Sequence, residues 1–121
     1  MTIGTLRLEI GKKEEAKAAF DLAIENCEKL LKDMPVQQVE DYNKLIAIKI
    51  TARFNLGYWH EMNLDFGEAT QIYKDIIRDE TTYLDAYLRL AYMANNRGNF
   101  ERAFTLLDDA KKNVTTQRPI Y

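Results

Sequence analysis

Apolar residues along this chain recur three and four positions apart, the spacing that lines one face of an α-helix. One long stretch shows it well: Tyr42, Leu45, Ile46, Lys49, Ile50 and Arg53 follow one another at helical intervals into Asn63. The pattern predicts a helix from about Lys12 to Lys32 that stops before Pro35, since the residue preceding a proline disfavours helical backbone. A second, long helix begins near Val39. A third follows Asp65, a capping residue with Glu68 three positions on as its capping-box partner, and runs to about Arg78. A fourth covers about Tyr83 to Asn96 and is ended by Gly98. Asn99 caps a fifth that reaches about Asn113; from Thr115 onward the chain reads as a frayed end or the start of another unit. With only 5 Gly and 2 Pro in 121 residues, the frequent turns of a β domain are missing. The predicted class is all-α.

The pattern also repeats. Leu64-Asp65-Phe66-Gly67-Glu68-Ala69 returns further on as Gly98-Asn99-Phe100-Glu101-Arg102-Ala103. At the same offset Leu56 falls on Leu90, Gly57 on Ala91, Ile72 on Leu106 and Ile76 on Ala110. A third copy, Gly11-Lys12-Lys13-Glu14-Glu15-Ala16 with Phe20 and Ala23, lies upstream, separated from the second by an insertion. The inserted residues are expected to lengthen the helices flanking Pro35.

The offset is a period of about 34 residues, and with Leu, a small residue, then Ala and an apolar residue it resembles the tetratricopeptide repeat. The resemblance implies an antiparallel helix-pair solenoid. The small residues Gly57, Ala69, Ala91 and Ala103 would sit where paired helices cross closely, and Leu56, Leu90, Phe66 and Phe100 would fill the space around them. Each pair leaves one apolar face to be covered by its neighbour. The expected organisation is a single array segment over 1–121: a partial repeat 1–34 retaining only Thr2 to about Glu9 of its first helix, an elongated linking helix 35–49, and repeats 50–83 and 84–117. The incomplete first unit and the apolar last helix read as a segment of a longer array.

One run is more specific. Phe54-Asn55-Leu56, Tyr73-Lys74-Asp75-Ile76-Ile77-Arg78, Tyr83-Leu84-Asp85-Ala86-Tyr87-Leu88-Arg89-Leu90, Met93-Ala94 and Arg97-Gly98-Asn99-Phe100 are similar to the family of large tetratricopeptide subunits of the Paf complex, which travels with RNA polymerase II. The likeness spans roughly Leu6 to Asn113. Trp59, His60, Met62, Thr81-Thr82 and the last helix depart from the family pattern. The resemblance implies a nuclear scaffold, binding protein subunits of a transcription-elongation complex and supporting histone modification.

Composition sharpens the picture by exclusion. Hydrophobic residues make up 46% and charged residues 30%, enough apolar material for a core and too much for a disordered tail. Lys and Arg number 17 against 19 Asp and Glu, a formal charge of −2, so direct nucleic-acid binding, which relies on clustered cations, is not expected. Apolar runs such as Leu45-Ile46-Ala47-Ile48 are far short of the roughly 20 residues of a membrane span. Arg7 and Glu9 break up any secretory pattern at the start of the chain. The single Cys forms no internal disulfide, and a reducing compartment is expected.

The chemistry offered is binding rather than catalysis. A lone Cys27 among Ala23 and Ile24 reads as a small buried hydrophobe, and a lone His60 as a side chain packed between helices or facing a groove, without metal-ligand company. Glu14-Glu15 and Asp108-Asp109 read as solvated surface. No Gly-rich phosphate loop occurs. The expectation is therefore no enzyme, no metal, no cofactor and no small-molecule ligand. On the first helix of each complete pair, the inward positions are Phe54, Asn55, Tyr58, Glu61 and Met62, then Leu88, Arg89, Tyr92 and Asn95. From these the candidate partner groove is Phe54, Asn55, Tyr58, Leu88, Arg89, Tyr92 and Asn95, with aromatic floors for area and Asn55 and Arg89 to fix a partner's backbone direction. The same aromatic residues also suit plain core packing. Two alternatives stand beside this: an adaptor clamping a chaperone's C-terminal carboxylate, for which Asp85 is wrongly charged, and the docking arm of an enzyme whose catalytic part lies elsewhere.

Overall fold

A computed structural model of the chain describes residues 3–35 and 38–117, with side chains from 11 to 114. Five helices follow in order: α1 (Ile3–Lys32), α2 (Val39–Met62), α3 (Phe66–Asp79), α4 (Leu84–Asn96) and α5 (Phe100–Gln117). No strand occurs among the described residues. The fold class is the expected one, all-α and built from helix pairs. The chain divides into two compact units, Met1–Trp59 and His60–Tyr121, with the boundary inside α2.

In the first unit α1 and α2 run antiparallel, held by contacts at both ends of the pair. The Trp59 indole Nε1 donates to the Lys13 carbonyl at 2.7 Å, and the Lys17 ammonium lies 5.9 Å from the same ring. Towards the other end, Lys49 pairs with Glu28 at 3.4 Å. Between them the core is thin, with Cys27, Ile50 and Ala52 buried; Cys27 is thus the buried apolar residue its neighbours predicted. The helices are 30 and 24 residues long, about twice α3 and α4 at 14 and 13.

The chain was expected to break between a first-helix remnant ending near Glu9 and a second helix from Lys12, yet α1 passes through Gly11 unbroken. A mid-helix glycine costs about 1 kcal/mol relative to alanine, too little to end a helix that no proline or cap interrupts. A Cβ built at Gly11 meets nothing within 4 Å, so no close neighbour fixes glycine there. Pro35 does mark the end of α1. Val36, Gln37 and residues 118–121 lie outside the described residues.

The second unit holds the larger core. Ala69, Tyr73 and Ile76 of α3, Ala86, Tyr87, Leu90, Ala91, Met93 and Ala94 of α4, and Ala103, Leu106 and Ala110 of α5 are buried. The crossing residues Ala69, Ala91 and Ala103 are therefore placed as expected, and Gly57 is buried as well. Phe66 and Phe100 are not: they stay 44% and 66% exposed. Each is the first residue of its helix, and because helical side chains lean towards the N-terminus, theirs overhang the turn instead of filling the pair.

Two of the helix-to-helix turns of this unit, those after α2 and after α4, share one hydrogen-bond pattern. After α4, Gly98 N–H donates to the Asn95 carbonyl at 3.0 Å and Asn99 N–H to that of Ala94 at 2.9 Å. After α2, Leu64 N–H donates to the Glu61 carbonyl at 3.1 Å and Asp65 N–H to that of His60 at 2.9 Å. These are paired Schellman caps, which need a left-handed residue at the position after the cap; Gly98 has φ 77° and Leu64 φ 65°. Asn99 caps α5 as predicted, its Oδ1 accepting from Arg102 N–H at 3.3 Å. Asp65 makes no side-chain cap bond. Its carboxylate is taken instead by His60 Nδ1 at 3.2 Å, because the last turn of α2 offers a competing donor.

Thr81 and Thr82 make the α3–α4 connection without a proline. Thr82 Oγ1 donates to the Glu80 carboxylate at 2.6 Å, and the Tyr87 hydroxyl donates to the Thr81 carbonyl at 3.0 Å while accepting from Asn113 Nδ2 at 2.9 Å. Tyr87 thereby ties the loop to α5, which continues past the expected Asn113 to Gln117.

Candidate protein-binding pocket

The last turn of α2 carries Glu61 into the second unit, where its side chain is only 3% exposed. A buried carboxylate is costly unless fully hydrogen-bonded, and this one is. Oε1 accepts from the Tyr73 hydroxyl at 3.0 Å and from Arg89 Nε at 2.9 Å, and Oε2 accepts from Arg89 Nη2. Burial raises the Tyr73 hydroxyl pKa above its ordinary value, and the Glu61 charge and hydrogen bond raise it further, against the lowering influence of Arg89. The guanidinium also lies 4.8 Å from the centre of the Tyr92 ring, one turn along the same helix. Three helices are joined here through a single acid.

Beside this cluster is a pocket of about 270 Å³ lined by Glu61, Phe66, Tyr92, Met93, Asn96 and Arg97. Helical spacing explains the set: Tyr92, Met93, Asn96 and Arg97 fall on one face at the end of α4. Phe66 enters from the first turn of α3, through the overhang that leaves it out of the core. Met93 is buried and forms the floor, while Tyr92 and Phe66 are exposed along the sides. Asn96 and Arg97 are exposed at the rim.

The predicted groove residues are distributed between the units. Phe54 is half-buried, and Asn55 and Tyr58 are exposed, all in the first unit. There Asn55 borders a shallow groove of about 380 Å³ with Phe20, Ala23, Ala47, Ile48, Thr51 and Ala52. Leu88, Tyr92 and Asn95 are exposed on α4, and of these Tyr92 alone lines the pocket. Arg89 is spent within the fold on Glu61. Sequence reasoning placed Phe66 in the packing and passed over Met93, Asn96 and Arg97. The usable signal was the Schellman cap at Gly98, which fixes where α4 ends and so which residues crowd its last turn.

Among the described residues, no group of three His, Cys, Asp or Glu side chains could hold a metal ion. No described helix is long and apolar enough to cross a membrane. His60 is mostly buried, with its ring nitrogen turned to Asp65. Glu14 and Glu15 are exposed, and Asp108 pairs with Lys112 at 3.0 Å, holding that ammonium's pKa above its ordinary value.

No solved structure matches the chain. The family comparison falls on the helix pair whose packing is described above: residues 85–114, from the second residue of α4 to Val114 of α5, match the tetratricopeptide repeat. That helix pair is similar to a tetratricopeptide repeat, a kind of repeat that serves as a protein–protein interaction module.

Proposed function

We propose that the chain is a non-catalytic protein-binding segment of a nuclear scaffold of the transcription-elongation type, similar to the large tetratricopeptide subunit of the Paf complex. The tetratricopeptide match over residues 85–114 carries the binding part of this reading. The run from Tyr83 to Phe100, with its resemblance to that subunit, supports the elongation-complex part. The contact residues proposed are Tyr92, Leu88 and Asn95 on α4, and Phe54, Asn55 and Tyr58 on α2. Arg89 serves them indirectly, by holding Tyr92.

The Glu61–Arg89 pair weighs against the chaperone adaptor. A clamp needs its cations free for a partner's carboxylate, and Arg89 already holds a carboxylate of its own fold. Exposed Asp85 on the same helix adds repulsion.

Affinity capture on the immobilised chain from nuclear extract, read by quantitative mass spectrometry, tests the proposal. Enrichment of RNA polymerase II elongation-complex subunits, lost with Tyr92→Ala, is the expected result. Enrichment of chaperones in their place, or of no elongation subunit, overturns it.

A further inference from the structure

The pocket beside Glu61 has a chemistry that selects its occupant. Its two ionised lining groups are not equivalent. Glu61 is buried and neutralised by Arg89, so it presents little negative charge to a ligand. Arg97 is exposed at the rim, and its guanidinium makes no hydrogen bond or ion pair among the described residues. The Asn96 amide and the Tyr92 hydroxyl are likewise without hydrogen bonds to described residues, and both lie at the same opening. The floor and walls are Met93, Phe66 and Tyr92. An apolar pocket of about 270 Å³ is large enough for one bulky side chain, and its one unspent charge is positive.

The helix end here does not cancel that charge. Carbonyls at a C-terminus ordinarily present partial negative charge, but those of Met93, Ala94 and Asn95 accept from Arg97, Asn99 and Gly98 N–H. What faces solvent is the guanidinium.

We infer that this pocket binds an extended peptide segment that places one large apolar side chain against Met93, Phe66 and Tyr92, with an adjacent Asp or Glu paired to Arg97. The Asn96 amide, with both donor and acceptor atoms, is suited to the peptide's main chain. This rests on the reading of the chain as a protein-binding module and specifies the partner's chemistry.

The test is selection of a random decapeptide display library on the intact chain, followed by fluorescence polarisation with the selected peptides. The expected peptides carry Leu, Ile, Met or Phe next to an acidic residue. Tyr92→Ala and Arg97→Glu should each weaken them at least tenfold, and affinity for wild type should fall with added salt. A peptide whose acidic residue is changed to Lys should regain affinity for the Arg97→Glu chain. Circular dichroism confirms that the variants keep their helices; Arg97 is exposed, so its reversal leaves the core untouched. Peptides that bind equally well to the Arg97→Glu chain, or that are basic, overturn the inference while leaving a protein-binding module in place. If neither the library nor nuclear extract yields any binder, both readings fall.

Discussion

The turn from α2 into α3 and the turn from α4 into α5 are one repeat period apart and carry the same hydrogen bonds, but their side chains have been put to different uses. At the first, the equivalent positions hold Leu64, Asp65 and Tyr73; at the second, Gly98, Asn99 and Leu107. Tyr73 is fully buried and bonded to Glu61, whereas Leu107 remains 46% exposed. α4 packs against α3, and the described residues supply no counterpart of α4 for the corresponding face of α5, where Phe104 and Leu107 stand in solvent. The period is a rule about backbone geometry. It leaves the content of each position to whatever packs against it.

The largest test of this contrast compares truncations at the two equivalent positions. Tyr73→Ala should cost about 4 kcal/mol, since it empties a fully buried aromatic site and removes a partner of a buried carboxylate. Leu107→Ala should cost less than about 1 kcal/mol, because much of that side chain is already in water. Urea denaturation followed by far-ultraviolet circular dichroism measures both; equal losses would dissolve the distinction. Tyr73 also predicts a pH effect. Its folded pKa is raised, so its contribution is complete below the ordinary phenol value near 10 and is lost as pH climbs above it. Stability should therefore fall at alkaline pH, and Tyr73→Phe should flatten that part of the profile.

Next in size is the pair Asn55 and Arg89, which occupy equivalent positions of the sequence period. Arg89→Ala leaves Glu61 as an uncompensated buried charge and should cost about 3 kcal/mol. Asn55→Ala, on an exposed surface, should fall within about 0.5 kcal/mol of wild type. If Arg89→Ala proved equally mild, the Glu61 cluster would not hold the second unit together as described.

That pair also shows where sequence reading stops. Helix positions, the Gly98 cap and the buried alanines were legible because each depends on local spacing and residue size. Arg89 was read as a cation facing a partner, and Glu61 as another inward position; that the two meet inside the fold, from positions distant in sequence and on different helices, was not legible. Which face of α2 meets which face of α4 depends on packing angles that no local pattern encodes. Phe66 was misplaced for a related reason: periodicity identifies an apolar face, but not that a first-turn residue leans off the end of it. Of the pocket formed in consequence, only the α4 end that brings Met93, Asn96 and Arg97 together was marked in the sequence, by Gly98; the approach of Phe66 was not.

The turns themselves give the third comparison. Leu64 holds a left-handed conformation that costs an L-residue about 1–2 kcal/mol, and at 75% exposure it recovers little of that through burial. Leu64→Gly should therefore stabilise the chain by about 1 kcal/mol, net of the added unfolded-state entropy. Gly98→Ala should destabilise it by a similar amount. A Cβ at Gly98 meets nothing within 4 Å, so this cost is purely one of backbone conformation. Opposite signs for the two substitutions would establish that the turns share geometry while only one has the residue suited to it.

The smallest effect separates the two caps. Asn99→Ala removes an acceptor for Arg102 N–H and should cost about 1 kcal/mol, the usual loss for an N-cap. Asp65→Ala removes no such bond and forfeits only the contact with His60, an interaction between a mostly buried ring and an exposed carboxylate worth about 0.5 kcal/mol. Amide hydrogen exchange in the first turns of α3 and α5 distinguishes them better than global stability does. Protection at Arg102 should drop in Asn99→Ala, while the first turn of α3 should exchange unchanged in Asp65→Ala. A matching drop at α3 would mean that Asp65 caps its helix in solution and yields to His60 only part of the time, and the two turns would then differ in one residue, Leu64, rather than two.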